Sequence, residues 1–347
     1  MLTNRDLESL ERNSAFELLR IVAQWMIVEY HLLYFYIFPT TGFLTYKVLQ
    51  IPLHIGVVLY VLISGYYGIK PTPQKLFRLL LVIAVYTIPL MLIYDYGQDK
   101  PIVQTLKDIL FVSRTPFWFV RTYLYLFMLA PILNYWLDDN KRSKYLIYVL
   151  AFISVYIGLM GKDPSLREGK NFLNFALVYA IGHELKSVVE RKNILSTVKV
   201  AAGWVLLNVI AMIICGLFSG QLIGKVIWML SFPYNSPLLL INSILLFIMF
   251  GRMEFKSKIV NYIATSSFAI YLLHTHPFVC FELLPSLGLI SIVPLSLVIS
   301  TLLYITLFSL GIMAIAVLVD KCLTPVWKIA DIRTTMLFKS SLIRIFK

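Results

Sequence analysis

Apolar runs of about twenty residues recur along this chain, separated by short polar or basic stretches. That pattern predicts helices long enough to cross a bilayer rather than strands or amphipathic surface helices. About ten such runs are present, near residues 16–38, 51–69, 76–94, 117–137, 145–160, 171–186, 199–219, 236–251, 259–280 and 289–319. The last is long enough to be tilted or to begin as a surface segment. No fixed-period repeat is visible. The expected fold is all-α, a polytopic transmembrane bundle of about ten spans. The first run follows the charged stretch MLTNRDLESLERNSAFELLR and is too long for the core of a cleavable signal, so it reads as a retained span.

Composition agrees with the pattern. Of 347 residues, 59% are hydrophobic and 14% charged, with a mean hydropathy of +0.80, whereas soluble domains are about a quarter charged. The formal charge of +13 would suggest a nucleic-acid partner in a soluble protein. Here its distribution gives a different meaning, because Lys and Arg collect on cytoplasmic loops. With both termini cytoplasmic, about 21 of the 31 basic residues fall in tails and inner loops, among them Lys70, Lys75, Arg78, Lys141, Arg142 and Arg252. The expected organisation is a cytoplasmic tail at 1–15, a membrane domain at 16–319 and a basic cytoplasmic tail at 320–347. The end of that tail, DIRTTMLFKSSLIRIFK, is suited to the anionic inner leaflet. Membrane lipid is thus an expected partner and nucleic acid is not.

Several chemistries find no support. Cys215, Cys280 and Cys322 lie far apart with no metal-ligand spacing. No GxSxG elbow, phosphate-binding GxxxxGK[ST] loop or HExxH pair occurs. Neither a metal nor a bound cofactor is expected.

The informative stretch is RIVAQWMIVEYHL in the first run. Ionisable side chains in hydrocarbon cost about 3 kcal/mol each unless they find partners or water. On a helix advancing about 100° per residue, eleven steps return to within roughly 20°, so Arg20 and His31 share a face about 16 Å apart. Gln24 falls on the same stripe and Glu17 one turn before Arg20, while Glu29 points nearly opposite His31. Arg20 reads either as a snorkelling interfacial residue or as the inner end of a polar seam leading to a mid-membrane His31.

That stretch, FELLRIVAQWMIVEYH, resembles the first helix of the acyltransferase-3 family of integral membrane acyltransferases. The family's arginine, ten residues and a histidine match Arg20 and His31. Further pieces follow in the family's order. LYVLISGYYGI is similar to its second-span motif around Ser64 and Gly65, and KLFRLL with Arg78 to the basic start of its third. FWFVRTYLYLFMLAPILN is similar to its Trp-Phe helix, and FAIYLLHTHPF to its Ile-Tyr-Leu-x-His element, with Tyr271 and His274. Tyr30 stands where many relatives have the first histidine of a pair, and Arg121 where relatives often carry a small or polar residue.

The resemblance implies transfer of an acyl group, usually acetyl, from cytoplasmic acyl-CoA to a hydroxyl of a cell-surface sugar, capsule or exopolysaccharide, at a bacterial plasma membrane. Acyl-CoA is then a co-substrate, and a surface glycan or lipid-linked sugar the acceptor. Neutral histidine suits the removal of a hydroxyl proton near pH 7, which makes His31 the catalytic candidate. Arg20, with Lys75 and Arg78 at the same membrane face, is the candidate donor-phosphate site. Ser64 and Gly65 read as a close-packing point or as pore lining. Trp118 reads as an interfacial anchor or a sugar-stacking ring, and Arg121 as an ion-pair member or an oxyanion stabiliser. Tyr271 and His274 are candidates to line the site; His276, His183 and His54 read as structural. The rival reading is a polysaccharide or lipid-linked sugar transporter without chemical turnover.

Overall fold

The computed structural model describes residues 13–37, 39, 44–111, 117–166, 168–191, 194–288 and 298–331. The N-terminal tail, the amphipathic C-terminal end and the start of the last expected span lie outside the described residues. Among the described residues, every regular element is a helix. The first, α1 (Ser14–Leu32), runs on into a π-helical turn, Leu33–Ile37. It is followed by α2 (Gly56–Tyr67), α3 (Pro73–Gly97), α4 (Ile102–Phe111), α5 (Trp118–Leu137) and α6 (Asn140–Ala151), which continues as a π-helical Phe152–Met160. Then come α7 (Phe172–Glu190), α8 (Ile194–Leu217), α9 (Leu222–Ser231), α10 (Pro237–Gly251), α11 (Lys258–Ala264), α12 (Ser267–His274) and α13 (Val298–Cys322).

Helix starts follow the local chemistry. Asn13, Thr72, Asp139, Asn171 and Ser257 each accept a backbone N–H of the first turn, at α1, α3, α6, α7 and α11. Pro73 and Pro237 sit in first turns, where no intrahelical donor is lost. Past α12 the chain breaks at Pro277, which has no N–H to donate and disfavours helix before it. The segments Lys258–His274 and Phe278–Ser286 meet there at 68°.

Among the described residues, four helices are long and apolar enough to cross a membrane: Pro73–Gly97, Asn140–Met160, Leu195–Leu217 and Val298–Cys322. Taking the bent pair at Pro277 as one span makes five. Only 17–28% of each of the four apolar windows is buried, so these helices form the rim and expose apolar side chains. Inside them lie α1, α2, α7 and α10, which are shorter or carry more polar groups. α1 buries Ser14, Glu17, Gln24 and Glu29, and packs against α2, α10, α11, α12 and α13. Two of the helices α1 to α13 fall where the hydropathy pattern shows no span, as does the short Leu44–Val48 helix. The amphipathic α4 lies between the third and fourth expected spans, and α9 lies between the seventh and eighth.

The tightest contact joins α2 to α7. A Cβ at Gly65 would lie 2.0 Å from the Tyr179 carbonyl oxygen, and one at Gly182 would lie 2.3 Å from that of Leu62. The backbones touch directly, as small residues permit in membrane bundles. Beside this contact Tyr179 donates to Asn134 Oδ1 (2.7 Å), Asn134 Nδ2 to the Ile69 carbonyl (2.9 Å) and Ile69 N–H to the Tyr179 oxygen (2.8 Å), a closed ring that ties α5 and α7 to the end of α2.

Candidate functional site

Two cavities lie along α1, one toward each end of the Arg20–His31 stripe. The first, about 280 Å³, is bordered by Arg20, Gln24, Tyr60, Ser64, Tyr123 and Ser267 among others. The second, about 430 Å³, is bordered by His31 and by an aromatic wall that includes Tyr30, Tyr34, His54, Trp118 and Tyr234. Ile27, Val57 and Tyr271 border both, so the cavities meet at these three side chains.

At the Arg20 end, the guanidinium pairs with Glu17 one turn earlier and lies 5.9 Å from the Tyr67 ring centroid. Tyr60 from α2 donates to the Arg20 carbonyl at 2.8 Å, and Gln24 lies 3.3 Å from the same hydroxyl. Ser64 donates to the Tyr60 carbonyl (2.8 Å) and sits 3.4 Å from Tyr123 Oη. Ser64 therefore lines the cavity, whereas its neighbour Gly65 lines neither cavity and serves the α2–α7 contact.

At the other end His31 is half-buried in the cavity wall. Its Nδ1 lies 3.0 Å from Nε2 of His274, and Nδ1 of His274 lies 2.7 Å from the Ile270 carbonyl. The residues that the Ile-Tyr-Leu-x-His motif brings forward thus fall on two sides of His31. Tyr271 borders the cavities, and His274, 4% exposed, stands behind His31 and outside the lining. His276, two residues on, accepts from Phe278 N–H and faces the Thr87 carbonyl, which accounts for both ring nitrogens within the fold.

The remaining candidates separate. Trp118 borders the His31 cavity and packs 5.1 Å from Tyr234, with Lys170 Nζ 5.8 Å from its ring centroid. Arg121 borders neither cavity. Lys75 is exposed and donates to the Lys70 carbonyl (3.1 Å), and Arg78 pairs with Asp331 beyond α13. Neither lines the Arg20 cavity. Glu29, unplaced by the sequence, accepts from Thr306 at 2.9 Å and ties α1 to α13.

Several residues of the second cavity carry little sequence signal. His54, read from sequence as structural, is sandwiched between Tyr30 (4.6 Å) and Tyr234 (4.5 Å) in its wall. Tyr234 is carried by a turn that Asn174 and Asn235 hold down. Asn174 Nδ2 donates to the Gly169 and Tyr234 carbonyls (3.0 and 3.1 Å), and Asn235 Nδ2 to those of Ser154 and Leu166 (2.6 and 3.0 Å). In the same loop Ser165 donates twice to Asp163, which holds that exposed carboxyl below its ordinary range. Tyr30 and Tyr34 could have been marked from sequence by their spacing on the helix face around His31.

The arrangement offers the His31 imidazole at an aromatic cavity and the Arg20 guanidinium at a second cavity, both on a single helix. Among the described residues no group of His, Cys, Asp and Glu could hold a metal ion. No curated protein and no solved structure matches the chain. The model of an acyltransferase domain matches residues 13–321, and it spans α1, both cavities and nearly all of α13. With its apolar rim helices and the polar stripe inside them, the chain belongs to the acyltransferase-3 family of membrane acyltransferases.

Proposed function

We propose that this chain transfers an acyl group, acetyl in the simplest case, from cytoplasmic acyl-CoA to a hydroxyl of a cell-surface or capsular glycan. The observation that carries the reading is the placement of Arg20 and His31 on one face of α1, bordering two cavities that meet at Ile27, Val57 and Tyr271. Arg20 binds donor phosphate, a task suited to a guanidinium, and the thioester reaches toward His31. The acceptor lies in the aromatic cavity, where flat rings such as Trp118 and Tyr234 pack against sugar faces. Its hydroxyl oxygen attacks the thioester carbonyl carbon as the carbon–sulfur bond breaks. The hydroxyl proton passes to His31 and then to the departing sulfur, which gives an ester and a free thiol.

In the topology proposed with this reaction, about ten spans cross a bacterial plasma membrane, with both termini and the Arg20 end in the cytoplasm. The basic loops at Lys70–Arg78, Lys141–Lys144 and Arg252–Lys258 support that orientation. The other five expected spans fall on α1, α2, α5, α7 and α10, which are shorter or carry more polar groups than the rim helices.

Proton NMR of the surface glycan tests the reading. Cells carrying the gene should show O-acetyl signals that disappear with His31→Ala, with the variant still inserted at wild-type level. Acetyl signals that persist in that variant would reject His31 as the base. Loss of glycan export with unchanged acetyl content per sugar would favour a transporter.

A further inference from the structure

The two histidines make a chain whose proton order is set at its inner end. A backbone carbonyl only accepts, so the 2.7 Å contact with Ile270 places a proton on His274 Nδ1. His274 is 4% exposed and has no carboxylate partner among the described residues, and a second proton would leave an unpaired cation in apolar surroundings. Its Nε2 is therefore a lone pair. The 3.0 Å contact then requires His31 to donate from Nδ1. A neutral His31 protonated on Nδ1 keeps its own lone pair on Nε2, which makes no hydrogen bond among the described residues, on a ring that borders the larger cavity. His276 shows the opposite order: its Nδ1 accepts from Phe278 N–H, so its proton lies on Nε2 toward Thr87.

We propose that His274 is a positioning residue that holds His31 in the Nδ1-protonated tautomer and so presents Nε2 to the cavity as the basic nitrogen. The proposal rests on the acyl-transfer reading for its chemistry but not for its proton order. When Nε2 takes the acceptor's hydroxyl proton, the His31 imidazolium still donates from Nδ1 to the His274 lone pair. The positive charge thereby gains a charge-assisted hydrogen bond in a buried site. The proton then leaves from Nε2 to the thiolate, and His274 ends as it began. Without His274, the His31 proton is free to settle on Nε2, where it blocks the base.

The test uses the full chain, labelled with ¹⁵N-histidine, in lipid nanodiscs, with His31 signals assigned by their loss in His31→Gln. Wild-type protein should show an unprotonated Nε2 and a protonated Nδ1 at His31. In His274→Leu the His31 proton should appear on Nε2, and glycan O-acetyl content at equal protein level should fall at least tenfold. His274→Gln should recover much of that loss, because its side-chain oxygen can accept in place of Nε2. A wild-type His31 protonated on Nε2 overturns the proposal whether or not the leucine variant folds. So does wild-type acetylation in His274→Leu, or a glutamine variant no better than leucine in protein that is folded. If His31→Ala leaves the glycan acetylated, the acyl-transfer assignment falls, and the nitrogen signals still decide the proton order.

Discussion

Replacing Gly65 by alanine puts a methyl group where the structure has only backbone. The added Cβ would meet the Tyr179 carbonyl oxygen at 2.0 Å, its carbon at 2.8 Å and its Cα at 3.0 Å. No rotamer change relieves a contact between two backbones, so the helices must part locally by about 1.4 Å to restore ordinary contact. Overpacking of this kind costs about 1–3 kcal/mol. The upper end applies here, because the same shift stretches the hydrogen-bonded ring of Tyr179, Asn134 and Ile69. At about 2 °C per kcal/mol, the low end for larger domains, a loss of about 3 kcal/mol lowers the unfolding midpoint by about 6 °C. The assay is apparent melting in detergent at a fixed scan rate, since unfolding of such proteins is often irreversible. Gly182→Ala should act similarly through Leu62. The double variant should lose less than the sum, because the first methyl already opens the gap. Gly203→Ala on α8, with nothing within 4 Å of the new methyl, is the control. If Gly65→Ala melts with that control, or the double variant is additive, the direct α2–α7 contact is wrong.

Three other outcomes follow from the site. Arg20→Ala should raise the KM for acetyl-CoA about tenfold or more, as expected for loss of a charged hydrogen bond. Lys75→Ala, exposed and outside the cavity, should stay within about twofold, and both are read by initial rates in membrane vesicles. Asn174→Ala should cost about 2–3 kcal/mol by leaving buried carbonyls unpaired, with faster protease cleavage of the 161–171 loop as the readout.

How far the sequence foretold this arrangement depended on whether a residue's role was local. Arg20 and His31 were legible because eleven residues on one helix fix their relation without any knowledge of the fold. Tyr271 and His274 were legible through the family motif, but their division between the lining and the layer behind it was not, since that depends on where α12 meets α1. Arg78 reads from sequence with Arg20 and Lys75 as a donor cation, and its pairing with Asp331, 253 residues away, could not be seen before the fold brought the two together. Glu29 had no readable role because Thr306 lies on the last helix. His54 and Tyr234 joined the aromatic wall through a turn that Asn174 and Asn235 hold, and no periodicity encodes that. Hydropathy found the rim helices most clearly, because they are long and expose apolar side chains along most of their length. The interior helices carry polar groups that only their neighbours satisfy.

In the proposed topology, with the Arg20 cavity toward the cytoplasm and the His31 cavity toward the outer face, Ile27, Val57 and Tyr271 have a consequence for the membrane as an insulator. A protein with an opening toward each face short-circuits the ion gradients across the bilayer unless a dry layer separates them. These three side chains are each 6% exposed and border both cavities, so that layer is a single side chain deep. A thin apolar layer is poor support for a hydrated ion, yet a slender acyl chain can replace the side-chain contacts it displaces. In that topology the proposed group exchange and the electrical resistance of the membrane depend on the same three residues.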